Sequence, residues 1–474
     1  MNIIPKTILI AAACAMPLMS FAAVGDYVYD FERSYPNMDE GAADGSNAGW
    51  SDYNWNDSSV WTKKPDGRDT PGENDNVLLH GQHTKPFFAQ GSTATVKNLV
   101  IDTLWDAQFR PYETGDSQDH ASYNPASLVV KENFEMIFGN GTGADFGDSS
   151  GSRGFKYLEV GGNFSIKAGG SVSAAPNGSR MVWSPRENYS RTNLSMLVRG
   201  SVNLDNVRWC TNASGTGDND NGYSVDAFIQ IGGLNSSGYV SIGNNDKAAN
   251  STTLIFKGSD ANSFQGGDFT GGFYGYWTSG KTMNLIMDGE NGGKQTIHLR
   301  GKTYSADGDA VLNVTVESGM LEMGSADDGQ KINSLTLLGG KFSLASERFV
   351  KVQSLVLDGG ELLFVASDGA VDYIEADAIS GDKSTQVFID LAMSDFGVGD
   401  SLDGRTFEII RGATDTDGLS VKFLYDGVEQ NFVWNWLGGT VQISEGTIAV
   451  PEPAALAAIF GALALALAFG RRRK

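Results

Sequence analysis

The sequence predicts an all-β protein whose main body is a right-handed parallel β-helix, or β-solenoid. Three observations support this prediction. The chain has 60 glycines but 12 prolines, a composition typical of short strands joined by tight turns. Helical periodicity is almost absent from residue 24 to residue 450. A short phrase of alternating apolar residues, introduced by glycine, recurs along the chain.

The recurring phrase is a glycine, often paired, followed by one residue, an apolar residue, one residue and a second apolar residue. It occurs at residues 161–166, 169–174, 199–204, 237–242, 318–323, 339–344 and 359–364. Alternation buries one face of a strand, and a glycine between two strands permits a sharp bend. One such unit cannot bury its apolar edge alone, but a stack of units can.

The repeated units begin at regular apolar positions. The expected starts are Leu128, Leu158, Leu197, Phe228, Leu254, Leu285, Leu312, Leu335 and Leu355, with spacings of 20 to 39 residues. We expect about nine coils, each rising about 4.8 Å. A row of antiparallel β-hairpins is the alternative, because strand, Gly-Gly, strand is also a hairpin pattern. The tandem repetition and the polar outer positions favour the solenoid, which we place at residues 126–366.

A cap is expected at each end of the solenoid, because an uncovered first or last coil pairs with other molecules. Residues 23–125 contain three tryptophans, a turn and a first strand: Trp50, Trp55, Trp61, residues 71–76 and residues 77–79. This opening resembles the start of bacterial envelope β-solenoids, including those with autotransporter-type repeats. Residues 367–450 contain shorter strands at 387–389, 406–410 and 441–443, and we expect Trp434 and Trp436 to pack within them.

The first 22 residues have the pattern of a secretory signal peptide. Lys6 provides positive charge, residues 8–19 form an apolar stretch, and Ser20 and Ala22 place small residues where signal peptidase reads the chain. We therefore predict cleavage after Ala22.

The last 24 residues contain three features in order. Pro451, Glu452 and Pro453 come first, residues 454–470 are uncharged and mostly apolar, and the chain ends in Arg471, Arg472, Arg473 and Lys474. An apolar helix over residues 454–469 spans roughly 24 Å, slightly less than a bilayer core of about 30 Å. The basic cluster stays on the cytoplasmic side, so this helix is expected to lie across the inner membrane.

This tail, residues 451–474, resembles the PEP-CTERM sorting signal of Gram-negative bacteria. The resemblance implies that an exosortase, a membrane cysteine protease-transpeptidase, removes the tail and passes the protein to the outer surface or extracellular matrix. It covers only the terminal segment of the chain. An ordinary single-span anchor that is never cut is the alternative.

The charge of the chain argues against nucleic acid as a partner. The whole chain has a net charge of −22. The two end segments contain five of the 35 Lys and Arg residues and one of the 57 Asp and Glu residues. The chain between them therefore has 30 basic and 56 acidic residues. Such an acidic surface repels nucleic acid and anionic lipid. After loss of Cys14, Cys210 is alone and no intrachain disulfide can form.

No residues in the sequence form a recognisable catalytic set, metal site or cofactor motif. His80 and His83 lack a third ligand, and the acidic residues around insertion 212–223, such as Asp218 and Asp220, read as a solvated loop. Two function classes remain: a structural or adhesive surface protein, which we favour, and a polysaccharide-degrading β-helix enzyme. Extracellular glycans are candidate partners through three aromatic residues, Tyr274, Tyr276 and Trp277.

Overall fold

The computed structural model describes most of the repeat region and the segment that follows it. The described residues are 26–30, 55–56, 58–84, 87–89, 91–108, 110–112, 126–138, 143–145, 157–168, 180–182, 194–205, 208–210, 225–237, 241–243, 249–267, 269–270, 282–299, 311–325, 331–345, 348–413, 415–416 and 418–449. Within these ranges the protein is all-β, with two short 3-10 segments at Ser58–Val60 and Glu290–Gly292. None of the helical segments in these ranges has the length and hydropathy to cross a membrane.

Most strands of the first half of the chain are short, as the glycine content predicts. The strands of this half are β1 (Tyr27–Asp30), β2 (Asn76–Thr84), β3 (Phe87–Ala89), β4 (Thr93–Val96), β5 (Asn98–Gln108), β6 (Arg110–Tyr112), β7 (Ser127–Val130), β8 (Phe134–Phe138), β9 (Gly143–Asp145), β10 (Tyr157–Val160), β11 (Phe164–Ala168), β12 (Arg180–Val182), β13 (Leu194–Asp205), β14 (Arg208–Cys210), β15 (Val225–Ser237) and β16 (Ser241–Gly243). The exceptions are β5, β13 and β15, which have 11, 12 and 13 residues.

The strands of the second half follow the same pattern. They are β17 (Ala249–Phe256), β18 (Ala261–Gly267), β19 (Phe269–Thr270), β20 (Thr282–Asp288), β21 (Lys294–Leu299), β22 (Val311–Ser318), β23 (Met320–Ser325), β24 (Lys331–Leu337), β25 (Lys341–Leu344), β26 (Phe349–Leu357), β27 (Glu361–Ala366), β28 (Tyr373–Ser380), β29 (Gln386–Leu391), β30 (Thr406–Glu408), β31 (Ile410–Gly412), β32 (Ser420–Tyr425), β33 (Val428–Gln430), β34 (Val433–Leu437) and β35 (Thr440–Glu445).

Most of these strands pair in parallel, each with the corresponding strand of the next unit. The first ladder consists of β4, β7, β10, β13, β15, β17, β20, β22, β24, β26, β28 and β31. The second ladder has two parts. The part nearer the N-terminus, called lower here, consists of β1, β2, β5, β8, β11, β13 and β15. The part nearer the C-terminus, called upper, consists of β18, β21, β23, β25, β27, β29 and β32.

A third, shorter ladder joins the end of β5 to β9, β12, β14, β16 and β19. Most units therefore place one segment in the first ladder, bend, and place the next segment in the second. This topology is consistent with a β-solenoid, and it excludes the row of hairpins as a description of these ladders, because hairpin strands are antiparallel.

The interior of the first ladder is a column of apolar side chains in register. The column consists of Leu128, Leu158, Met196, Ile229, Leu254, Leu285, Val314, Leu335 and Leu355, all buried. Six of the predicted unit starts occupy it. The other three were wrong by one or two residues. Leu197 and Phe228 point outward, because a one-residue shift moves a side chain to the opposite face. Leu312 is on the same buried face as the column residue of its strand, two residues before it.

Glycines form the bend between the first two ladders, and successive coils approach closely there. The Gly200 amide donates to the Gly162 carbonyl at 3.0 Å, and Gly258 donates to Gly232 at 2.8 Å. A Cβ on Gly232 would lie 2.6 Å from the carbonyl oxygens of both Arg199 and Gly200. Close packing of main chains therefore requires glycine at position 232, whereas a positive φ also favours glycine at some later bends.

A column of asparagine side chains runs beside the lower bends. The Asn133 amide N–H donates to Asn98 Oδ1 at 2.8 Å, Asn163 N–H donates to Asn133 Oδ1 at 2.9 Å, and Ser201 N–H donates to Asn163 Oδ1 at 2.8 Å. Each side chain thus satisfies a main-chain donor of the next coil, at the point where the bend interrupts the sheet. This column was not predicted from the sequence.

The parallel pairing extends beyond residues 126–366 at both ends. It includes β1 at the beginning and β32 near the end. Trp55 and Trp61 contact each other edge to face, with ring centroids 5.2 Å apart, and Trp61 contacts Tyr27 of β1 in the same way at 5.5 Å. Trp50 lies outside the described residues.

The last part of the described chain is antiparallel. β33 folds back on β32, and β30, β35 and β34 form a three-stranded sheet with β35 in the centre. Trp434 and Trp436 pack against the core from β34, which confirms the expectation for these two residues. The Trp436 indole N–H donates to the Leu419 carbonyl at 3.0 Å.

Candidate functional site

The residues predicted to mediate sorting and export lie outside the described part of the chain. This holds for Ala22 at the signal cleavage position, for Pro451, Glu452 and Pro453, and for Arg471, Arg472 and Arg473. The predicted sorting helix at 454–470 lies outside it as well. The aromatic group Tyr274, Tyr276 and Trp277, and the acidic residues Asp218 and Asp220, are likewise outside the described ranges.

The outer face of the first ladder is the most regular polar surface in the described residues. One column of side chains on this face, which we call the outer row, is in register along successive coils. The outer row consists of Tyr157, Ser195, Phe228, Thr253, Asn284, Asn313 and Ser334. The outer row points away from the core because side chains alternate along a strand, and each of these residues precedes a side chain that faces the core.

Phe228 is the exposed aromatic residue of the outer row. Its side chain is 50% exposed, although its neighbour Ile229 is completely buried. Hydroxyl-bearing residues flank it in register, with Ser195 on one side and Thr253 on the other. An exposed ring between hydroxyl groups provides both an apolar surface and hydrogen-bonding partners.

Beyond Thr253 the outer row continues as a chain of hydrogen-bonded polar groups. Asn313 Nδ2 donates to Asn284 Oδ1 at 3.0 Å, and Ser334 Oγ donates to Asn313 Oδ1 at 3.0 Å. Asn333 Nδ2 also donates to Asn313 Oδ1, at 2.8 Å. These contacts fix the orientation of the amides, so the row is held in place before any ligand arrives.

At its lower end the outer row meets an ionic group. Tyr157 Oη donates to Glu159 Oε2 at 2.8 Å, and Arg199 Nη2 lies 3.0 Å from Glu159 Oε1. Burial and the hydrogen bond to Glu159 raise the pKa of the Tyr157 phenol to about 12. Burial also raises the pKa of the Glu159 carboxyl, but hydrogen bonds from Tyr157 and Arg199 outweigh it and the net shift is downward. At neutral pH Tyr157 is therefore a hydrogen-bond donor and Glu159 is charged.

The carboxyl groups with raised pKa values do not form an acid–base pair. Burial raises the pKa of Glu135 on β8, of Asp390 on β29 and of Asp372 next to β28. Glu135 belongs to a coil well separated from the other two. Asp390 is in register with Val365, whose amide donates to Asp372, but the Asp372 carboxylate is already held by that amide and by Arg348. The described carboxyls with raised pKa values therefore do not show the arrangement in which two carboxyls flank a glycosidic bond.

The sequence-based metal candidates do not gather three ligand side chains within the described ranges. His80 on β2 is in register with Asp102 on β5. In the part of the chain that the structure describes, no group of three or more His, Cys, Asp or Glu side chains is arranged to hold a metal ion.

Comparison with known proteins does not place the chain in a family. No protein-family model matches it, and no curated protein matches it significantly.

The outer row was missed by sequence reasoning for a specific reason. Phe228 is followed by a second large apolar residue, Ile229, so alternation alone does not show which of them faces the core. The register with Met196 and Leu254 decides it. The signal that would have found the row is the placement of Ser195, Thr253 and Asn284 one position before a buried residue.

Proposed function

We propose that this chain is an exported β-solenoid protein of the cell surface or extracellular matrix, with a structural or adhesive role. In this proposal the ladders wind as a right-handed parallel β-helix. The stack extends from β1 to β32, with the cluster of Trp55 and Trp61 covering one end and the antiparallel sheet of β30, β35 and β34 covering the other. The observation that supports it best is the outer row, a regular polar and aromatic face on an acidic chain whose two ends have export patterns.

Export requires two processing steps in this proposal. Signal peptidase cuts after Ala22, and the apolar tail then holds the protein in the inner membrane. An exosortase cuts near Pro451, where two prolines disfavour a helix. The rest of the chain is released to the outer surface.

Removal of the tail is tested by mass spectrometry of surface material from the native host. We expect the mature chain to end near Pro451 and to lack Arg471, Arg472 and Arg473. A variant with Pro451→Ala and Pro453→Ala is expected to retain the tail and to remain with the inner membrane. Surface material that still contains the basic cluster would contradict the sorting proposal.

Extracellular glycans are the proposed ligands of the outer row. Sugars present apolar ring faces and many hydroxyl groups, and the row offers one exposed ring with hydroxyl and amide neighbours. Tyr274, Tyr276 and Trp277 follow β19 in the sequence, and we propose them as a second contact for the same ligand.

A Phe228→Ala variant is expected to bind its glycan about five-fold more weakly. Covering a half-exposed phenylalanine contributes roughly 1 kcal/mol, and 1.4 kcal/mol is a factor of ten. Leu338→Ala is the matched control, because Leu338 is similarly exposed but lies outside the outer row. The measurement is retention of the full chain on arrays of pectins, alginates and host glycans.

The same arrays separate binding from catalysis. Equal retention of the Phe228→Ala variant and the wild-type chain would remove the outer row as the contact. Turnover of any glycan would replace this proposal by the polysaccharide-degrading enzyme.

A further inference from the structure

The three-stranded antiparallel sheet near the end of the described chain has two different edges. One edge is β30, where Glu408 pairs with Arg411 at 3.0 Å and Arg405 precedes the strand. The other edge is β34, which contains no charged residue. Charged side chains on an edge strand prevent pairing with other molecules, so only the β30 edge has this protection.

β34 also exposes apolar side chains on one of its faces. Val433 is 58% exposed and Leu437 is 54% exposed, with Asn435 between them. The other face, with Trp434 and Trp436, packs against the core. Along one edge of β34 the main-chain N–H and C=O groups point away from β35, and among the described residues no strand pairs with that edge.

The sequence of β34 is nearly symmetric about Asn435. It reads Val-Trp-Asn-Trp-Leu, so reversing the strand exchanges one large aliphatic residue for another and one tryptophan for the other. In an antiparallel pair centred on Asn435, Val433 of one copy lies opposite Leu437 of the second copy. Asn435 then faces Asn435 across a two-fold axis. Such self-complementarity is what a symmetric dimer interface requires.

We propose that β34 pairs with β34 of a second copy of this chain, in antiparallel register about Asn435. The pairing joins two three-stranded sheets into one continuous sheet. It satisfies the outer main-chain groups of β34 and covers Val433 and Leu437. The inference does not depend on the glycan proposal or on processing of the tail.

The pairing is tested by a disulfide at the symmetry centre. In the full chain, with Cys14 and Cys210 replaced by serine, Asn435→Cys places two thiols directly opposite each other. Directly opposed Cβ atoms in an antiparallel pair lie about 4.5–5.5 Å apart, close to the separation that a disulfide needs. We expect mild oxidation to give a covalent dimer on a non-reducing gel. Thr406→Cys, on the exposed β30 edge of the same sheet, is the matched control and is expected to give at least five-fold less covalent dimer.

Charge substitution at the same position provides a second test. Asn435→Asp and Asn435→Lys each place like charges opposite each other, which destabilises a cross-strand pair. Each variant alone is expected to dimerise at least five-fold more weakly than the wild-type chain by sedimentation, and a mixture of the two is expected to recover dimers. Substitutions on an exposed strand face also leave the fold intact, which circular dichroism checks.

Three outcomes would overturn the proposal. The first is a wild-type chain that remains monomeric at all concentrations. The second is equal cross-linking of the Asn435→Cys and Thr406→Cys chains, and the third is a mixture of charge variants that dimerises no better than either alone. If the tail, residues 451–474, occupies the β34 edge instead, the Asn435→Cys chain gives no covalent dimer.

Discussion

Replacing Arg348 with alanine is expected to lower the free energy of unfolding by about 2–3 kcal/mol at pH 7. Arg348 Nε donates to Asp372 Oδ1 at 2.8 Å, and the Asp372 side chain is 4% exposed. Loss of the guanidinium leaves a buried carboxylate whose remaining partner is the Val365 amide. Breaking a buried ion pair from one side typically costs about 3–5 kcal/mol, and the partial exposure of Arg348 reduces this.

The loss of unfolding free energy caused by Arg348→Ala should become smaller as the pH falls. Burial already raises the pKa of Asp372, and removal of Arg348 raises it further. A carboxyl whose pKa is higher in the folded chain destabilises the fold above that pKa. The penalty disappears as the pH falls through the folded pKa toward the unfolded value. The difference between variant and wild type should therefore be largest at neutral pH and smaller near pH 4.

The measurement is denaturant unfolding of both chains across this pH range. Lys422→Ala is the control, because the exposed Lys422–Glu429 pair at 2.9 Å should contribute no more than about 1 kcal/mol. Asp372→Asn should cost less than Arg348→Ala, since the half-exposed arginine can turn to water. A larger loss in Asp372→Asn, or a deficit independent of pH, would show that the buried charge is not the cause.

The Gly232→Ala variant is expected to lose about 2 kcal/mol of unfolding free energy. The new Cβ would lie 2.6 Å from two carbonyl oxygens of the coil below, and both belong to the main chain. Overpacking of this kind typically costs about 1–3 kcal/mol, against a gain of about 0.4–1 kcal/mol from a less flexible unfolded chain. The backbone of the adjacent coils has to move apart to accept the methyl group.

Gly369→Ala is the matched control for this substitution. A Cβ there meets no atom within 4 Å, and Gly369 is exposed. We expect its thermal unfolding temperature to equal that of the wild-type chain or to exceed it slightly, because only the unfolded-state effect remains. Equal stability of the Gly232 and Gly369 variants would mean that the bends are not closely packed.

The all-β class and the parallel stack follow from features that are local in sequence. Alternation at residues such as Leu158 and Val160, and glycine at the bends, recur in most units and need no knowledge of the partner strand. The buried column was therefore predicted for most units. Where two apolar residues are adjacent, as in Phe228 and Ile229, only the register decides which is buried, and register is a property of the partner.

The parts that were not predicted depend on contacts between coils. The asparagine column requires that Asn98, Asn133 and Asn163 lie above one another, which irregular spacing conceals. The outer row is hidden for the same reason. Likewise, the extent of the stack beyond residue 366 is evident only from pairing, because β32 lacks the glycine phrase.

The buried column has a consequence for how this protein can change over evolutionary time. Leu158 and Met196 are 38 residues apart and Leu335 and Leu355 are 20 apart, yet both pairs are in register. The segments that leave the ladders between such pairs can therefore lengthen or shorten without displacing the interior. A lineage is free to insert, delete or exchange these excursions and so to acquire new surface loops on a conserved scaffold.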